Sequence, residues 1–232
     1  MRTIGVLLVF AACNQVDSVG LDAAGDAAPD GEPPAGGVVV PWSARPSLPG
    51  ALSDRIYISG ATFQIAHLQV VGDAGPGDER TTRSDYQIAW GGGGPPAPET
   101  FPDAPVGVYS QATIQIGSPG IGQWAYTIDG TWLDDDDDDV RGSALKEALK
   151  PFRIVDYQRI DVTVACDNIL AAGGSAMVPI RLALLDVIAG INFDLLFEDP
   201  NGVLLLGPGD PQMPALRTRL AHAFVSDRVP LQ

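Results

Sequence analysis

The sequence predicts a mainly β protein: an antiparallel β-sandwich with a C-terminal α-helix and a disordered N-terminal tether. Three observations carry that expectation. Several segments alternate apolar and polar residues with a period of two, the pattern of a half-buried strand. The 27 glycines and 20 prolines make up 47 of 232 residues, a level that favours turns and short strands over long helices. No regular strand-helix alternation is present, which argues against a parallel α/β sheet. The length suits one folded unit.

In chain order, Met1-Arg2-Thr3 supplies a short positive start and Ile4 to Ala12 an apolar run of nine residues. That is the length of a signal-peptide core and well short of the roughly 20 residues a helix needs to span a bilayer, so residues 1–12 read as a signal peptide. Asn14 to Gly50 carries six prolines, six glycines and five acidic residues against one arginine. Such a segment buries too little surface to offset its chain entropy and reads as a disordered linker ending at residue 50. Fully stretched it would reach about 120 Å, enough to hold a domain clear of a lipid surface. The Val38-Val39-Val40 run with Trp42 is its exception, expected to dock as an edge strand or a patch near the domain.

Residues 51–232 are expected to form the β-sandwich domain. Arg55 to Ser59 and Thr62 to Val71 give one or two strands, with a change of face near Ala66 that reads as a bulge. Tyr86 to Trp90 is a shorter candidate. Val108, Ser110, Ala112, Ile114 and Ile116 share one face of a strand, as do Trp124, Tyr126, Ile128, Gly130 and Trp132 of the next. Ile160, Val162, Val164 and Cys166 repeat the pattern. Ala176, Val178, Ile180, Leu182 and Leu184 do so again, where Pro179 suggests an edge or a bulge. Val203 to Leu206 is a last short strand. Helix is expected at Ser143 to Leu149, as a turn at Leu184 to Ala189, and after Asp210-Pro211. There Met213, Leu216, Leu220, Ala223 and Phe224 fall on one face.

A formal charge of −15 argues against nucleic acid and against electrostatic attachment to an anionic membrane, while 45% hydrophobic content excludes a disordered acidic chain. The charge is unevenly spread. Removing Arg2 with the signal leaves −16, and the linker accounts for −4 of it. The remaining 24 acids and 12 bases give −12 on residues 51–232, half of it from the six consecutive aspartates Asp134 to Asp139. Six adjacent carboxylates repel one another and call for solvent or cations. Asp134, Asp136 and Asp138 are therefore candidate calcium ligands, although the EF-hand template fails because its glycine position holds Asp139 and its terminal glutamate position Leu145. The competing reading is a solvated loop that attracts cations diffusely.

Catalytic signals are sparse. Ser143-Ala144-Leu145-Lys146 has the S-x-x-K spacing of penicillin-recognising serine enzymes, but no K-T-G or S-D-N follows, and Ser143 is explained as a helix N-cap. Ser118 and Ser175 lie outside any G-x-S-x-G elbow. His67 and His222 each lack a second metal ligand at helical or hairpin spacing. Gly91 to Gly94 is followed by Pro95-Pro96, which points to a flexible hairpin connection and away from a phosphate loop. Trp124, Tyr126 and Trp132 belong on the core face, and Trp90 is the better candidate for surface recognition. Cys166 reads as a small buried core residue. No catalytic residue, cofactor or enzyme activity is expected.

The apolar run ends in Phe10-Ala11-Ala12-Cys13, which resembles the bacterial lipobox, although Phe10 stands where leucine is usual. The resemblance implies palmitate-type acylation at Cys13, making residues 13–50 lipid anchor plus linker. An alternative is a Cys13–Cys166 disulfide in a soluble secreted protein. Asn14 is not the aspartate of an inner-membrane retention signal, which favours the outer membrane. The layout resembles envelope β-sandwich lipoproteins of GC-rich Gram-negative bacteria, a resemblance that names no activity. It implies membrane attachment through the N-terminal lipid, an envelope protein or glycan as partner, and a non-catalytic binding or structural role. A calcium-dependent adhesion or glycan-binding module is one alternative and a secreted hydrolase the other.

Overall fold

The computed structural model describes residues 37–72, 79–117, 120, 122–134 and 148–226, with the side chains of 79, 80 and 148 excepted. In chain order the elements are β1 Gly37–Val40, β2 Trp42–Arg45, β3 Gly50–Ala51, β4 Ile56–Gly72, β5 Glu79–Gly91, β6 Glu99–Phe101, β7 Gly107–Ile116 and β8 Tyr126–Asp134. There follow β9 Ala148–Asp156, β10 Ile160–Leu170, β11 Ser175–Met177, β12 Ile180–Ala183, α1 Leu185–Ile188, β13 Phe197–Glu198, β14 Leu204–Leu206, α2 Met213–Ala221 and β15 Phe224–Ser226. A 3-10 turn spans Phe193–Leu195. The fold is mainly β. Among the described residues no helix is long and apolar enough to cross a membrane. The sheets are mostly antiparallel, the parallel pairs being β1 with β11, β2 with β12 and β9 with β14.

The largest sheet, of order β10-β7-β4-β8-β9-β14-β13, is organised by the 17-residue β4. One edge of β4 pairs with β5 and β3. Its other edge changes neighbour, pairing with β8 from Ile56 to Phe63 and with β7 from Ile65 to Gly72. At the changeover the Gln64 N–H donates to the Ala125 carbonyl at 2.8 Å, and the Gln64 carbonyl accepts from the Gly117 N–H at 2.9 Å. The fork therefore leaves no backbone group of Gln64 unpaired. The bulge expected near Ala66 is present: the buried face passes from Ile65 to Leu68, and the pairing register with β7 breaks between Ile65 and His67. A second break, between Ile58 and Gly60, explains why this one strand reads as two.

Along β8 the expected inward residues Tyr126, Ile128, Gly130 and Trp132 are buried, whereas Trp124, expected on the same face, precedes the strand and is half-buried while Ala125 is buried. Along β10 the expected face extends through Asn168 to Leu170. On β7 the expectation holds from Ala112 onward only. The register with β4 breaks again between Val71 and Gly72, which buries Tyr109 in place of Val108 and Ser110. The Tyr109 hydroxyl finds its partner by donating to the Pro105 carbonyl at 2.6 Å. Leu149, the expected end of a helix, lies in β9, a strand whose inward residues Phe152, Ile154 and Asp156 carry the period of two. Residues 143–147 of that expected helix, Ser143 included, lie outside the described residues.

The domain starts earlier than composition suggests, which corrects the linker boundary at residue 50. Val38 and Val40 are fully buried and Trp42 nearly so. β1 is the central strand of the sheet β11-β1-β6, while β2 is an edge of the sheet β15-β12-β2. The apolar stretch expected to dock as an edge strand or a patch does join the sheets, β2 at an edge but β1 at the centre, with backbone partners far away in sequence. The expected alternation from Ala176 to Leu184 is kept, but Pro179 divides it into β11 and β12 just as Pro41 divides β1 from β2. The ladder is continuous across both prolines: the Val178 N–H donates to the Val39 carbonyl at 2.8 Å and the Ile180 N–H to the Pro41 carbonyl at 3.0 Å.

One apolar cluster joins all three sheets and both helices. Phe63 of β4 meets Trp90, Tyr126 and Phe224 at ring-centroid distances of 6.0, 5.9 and 5.4 Å, the last contact linking the large sheet to β15. α2 buries Met213, Leu216 and Leu220 and ends before Ala223 and Phe224, so Phe224 enters the core from a strand. A fully buried carboxylate fixes this helix to the large sheet. Asp156 accepts from Arg217 Nε at 2.6 Å and Nη2 at 2.9 Å, from the Tyr126 hydroxyl at 3.4 Å, and from the backbone N–H groups of Tyr157 and Gln158. Burial alone would raise its pKa; the hydrogen bonds from Arg217 and the two backbone N–H groups outweigh burial and hold it below the ordinary carboxylate range.

Candidate functional site

Two concavities are lined by described residues. The larger, about 490 Å³, has Arg55, Ile56 and Trp132 on one wall and residues 189–194 on the other. Trp132 stacks on Phe193 at 5.5 Å with planes 12° apart, and the Arg55 guanidinium lies 5.6 Å from the Trp132 ring centroid. Side chains of α2 and of its N-cap hold the opposite lip. Gln212 donates to the Asn192 carbonyl at 3.1 Å and accepts its N–H at 2.7 Å, while Arg219 donates to the carbonyls of Val187 and Gly190 at 3.0 and 3.3 Å. The lip is thus pre-organised although it is irregular chain. Trp132 and Phe193 are only 6% and 4% exposed, so the floor is packed and the mouth is formed by Ser53, Arg55, Asn192 and Asp194.

The smaller concavity, about 250 Å³, lies on the outward face of β4, β7 and β10. Strand register aligns two polar rows across the sheet. One runs Asp161, Gln115, His67, Ser84 and the other Thr163, Thr113, Gln69, Thr82. The bulge at Ala66 puts His67 here; uninterrupted alternation from Phe63 and Ile65 would have turned it into the core. His67 Nδ1 lies 2.7 Å from Ser84 Oγ and 3.1 Å from the Ala66 carbonyl, and Thr113 Oγ1 donates to Gln69 Oε1 at 3.1 Å. The Asp161 carboxylate accepts from Arg159 Nε at 3.0 Å. Ser84 and His67 are therefore a hydrogen-bonded pair whose ring is not oriented by that carboxylate, unlike the base of an acyl-transfer triad.

Of the expected site residues, Cys13, Asp136, Asp138, Ser118 and Ser143 lie outside the described residues. Asp134, at the end of β8, pairs with Lys150 Nζ at 2.9 Å, and Glu198 reaches the same ammonium at 3.5 Å. Among the described residues no group of three metal-ligating side chains forms. His67 and His222 are on different elements, β4 and the C-cap of α2. Trp90 is 3% exposed, which corrects its expected surface role: its side of β5 faces the core against Phe63. Nor is Gly91 to Gly94 a hairpin turn, because the chain leaves β5 for β6, whose partner is β1. Cys166 is buried as expected; its thiol donates to the Tyr109 carbonyl at 3.4 Å, and burial pushes its pKa up to about 11.

Sequence reading missed the polar rows because each member is an unremarkable outward strand residue. The period of two could place Gln115 and Thr163 outside, yet only register makes them neighbours. No protein-family model, no curated protein and no solved structure matches this chain.

Proposed function

We propose that this chain is a membrane-anchored lipoprotein of the bacterial outer envelope, bearing a sandwich-like β domain with a non-catalytic binding or structural role. The observation that carries the anchor is Ala11-Ala12-Cys13 directly after nine apolar residues, followed by a proline- and glycine-rich acidic segment. The sandwich reading draws support from the Phe63–Phe224 contact between two sheets. The non-catalytic reading draws support from the candidate nucleophiles: Cys166 is buried with a raised pKa, and Ser84 is bonded to a histidine whose ring, among the described residues, is not oriented by the Asp161 carboxylate. Binding is favoured by the rigid lip that Gln212 and Arg219 hold over the larger concavity, whose volume is on the scale of small-molecule sites.

Metabolic labelling with palmitate tests the anchor. The wild-type protein incorporates label and fractionates with membranes; Cys13→Ser incorporates none and is released. Absence of label in the wild type would overturn the proposal.

A further inference from the structure

We infer that the outward face of β4, β7 and β10 is a binding site for a neutral saccharide. The inference rests on reading the domain as a non-catalytic binder, but on a different concavity from the larger one. Its basis is the composition of the two aligned rows. Among their eight positions Asp161 is the only carboxylate, and none is lysine or arginine. Outward sheet faces ordinarily carry charges of both signs for solubility. Apart from Asp161 these rows present amides, hydroxyls and an imidazole, groups that both donate and accept hydrogen bonds.

Ligand class follows by elimination. A phosphate or sulfate would need net positive charge, and none of the eight row positions is lysine or arginine, while the Arg159 guanidinium beside them is bonded to Asp161. Calcium would need several convergent carboxylates, where this cleft has one. No large apolar side chain is offered to an apolar ligand, because Ile114 and Val162 turn theirs into the core. Closely spaced hydroxyls, each able to donate and accept, match what remains. A volume of about 250 Å³ holds on the order of eight waters at ~30 Å³ each, room for about one sugar ring, so a chain of sugars would lie along the rows. The hydrogen bonds from Thr113 to Gln69 and between Ser84 and His67 hold these side chains in place before a ligand arrives.

Calorimetric titration of the full-length protein with maltohexaose, cellohexaose, mannohexaose and chitohexaose tests this, with inorganic phosphate and calcium chloride as charged controls. Saturable binding of at least one saccharide is expected, and none of either control. Gln115→Ala/Thr163→Ala, both at outward positions, should weaken saccharide binding about tenfold with Tm unchanged. Failure of all four saccharides, binding undiminished in the double variant, or equal binding of phosphate would each overturn the assignment. Cys13→Ser must bind saccharide as the wild type does, so loss of the anchor and loss of the site are read separately. Saccharide cleavage would overturn the non-catalytic reading while leaving the site in place.

Discussion

Removing the guanidinium that faces Asp156 puts the strongest demand on the packing described above. In Arg217→Met the carboxylate, fully buried in the folded protein, keeps only the backbone N–H donors of Tyr157 at 2.8 Å and Gln158 at 3.3 Å and the distant Tyr126 hydroxyl. Breaking a buried ion pair costs about 3–5 kcal/mol because the remaining charge is uncompensated. The two surviving backbone donors place this case near the lower end, about 3 kcal/mol. At about 2–4 °C per kcal/mol for a domain of this size, Tm should drop by about 6–12 °C. Urea and thermal unfolding at pH 7 read both quantities. Asp156→Asn/Arg217→Met should be more stable than the sum of the single losses by at least about 1 kcal/mol, since it removes the orphaned charge. The pH dependence has a fixed sign. The folded-state pKa of Asp156 lies below the ordinary value of 3.8, so its contribution is fully present above about pH 4 and is lost as pH falls through the folded-state pKa. That acid-side loss should be smaller in Asp156→Asn and in Arg217→Met. A loss under about 0.5 kcal/mol for Arg217→Met, or strict additivity in the double variant, would refute the view that this pair holds α2 to the sheet.

Three further outcomes are expected. Gly130→Ala should cost about 1–3 kcal/mol by overpacking, because a Cβ there would stand 2.3 Å from the Tyr57 carbonyl oxygen and 2.6 Å from the Phe152 ring. Phe152→Leu should not restore the loss, since the nearer obstacle is backbone, and full rescue in a urea melt would contradict this packing. Iodoacetamide at pH 8 should modify Cys166 only on unfolding, since the residue is 6% exposed and burial pushes its pKa up to about 11; rapid labelling of Cys166 in the native protein would show that the site is open. Val38→Asp should reduce stability by several kcal/mol in a thermal melt, because it places a carboxylate without a partner in a fully buried position. A silent substitution would return residues 37–45 to the linker.

How much was legible differs between elements. Strands β8 and β10 were readable because their inward residues follow an unbroken period of two, a local property that burial on one face imposes. At β7 the same logic failed over a few residues. The bulge that buries Tyr109 instead of Val108 and Ser110 adds one residue, and periodicity on either side cannot reveal it. β9 was missed because Lys150, Pro151, Arg153 and Asp156 make a strand that looks polar, and Asp156 is tolerated inward only because Arg217, 61 residues later, reaches it. β1 and β2 were legible only as an apolar stretch expected to dock as an edge strand or a patch; that β1 is central in its sheet depends on partners near residues 100 and 175, and β2 pairs near residue 180.

The sequence by itself determined the class of the protein: its mainly β character, the inward faces of its regular strands, the buried Cys166 and the concentration of charge at the linker and Asp134 to Asp139. These depend on neighbours two to a few residues apart. Only the tertiary structure decided where the domain begins, that Trp90 faces the core, that Lys150 answers Asp134, and that His67, Gln69, Thr113, Gln115, Asp161 and Thr163 share one face. The physical reason is that backbone hydrogen bonds between strands are indifferent to side-chain identity. Register is set by the sum of bulges, prolines and core packing along several strands at once, and it is register that turns scattered polar residues into a site.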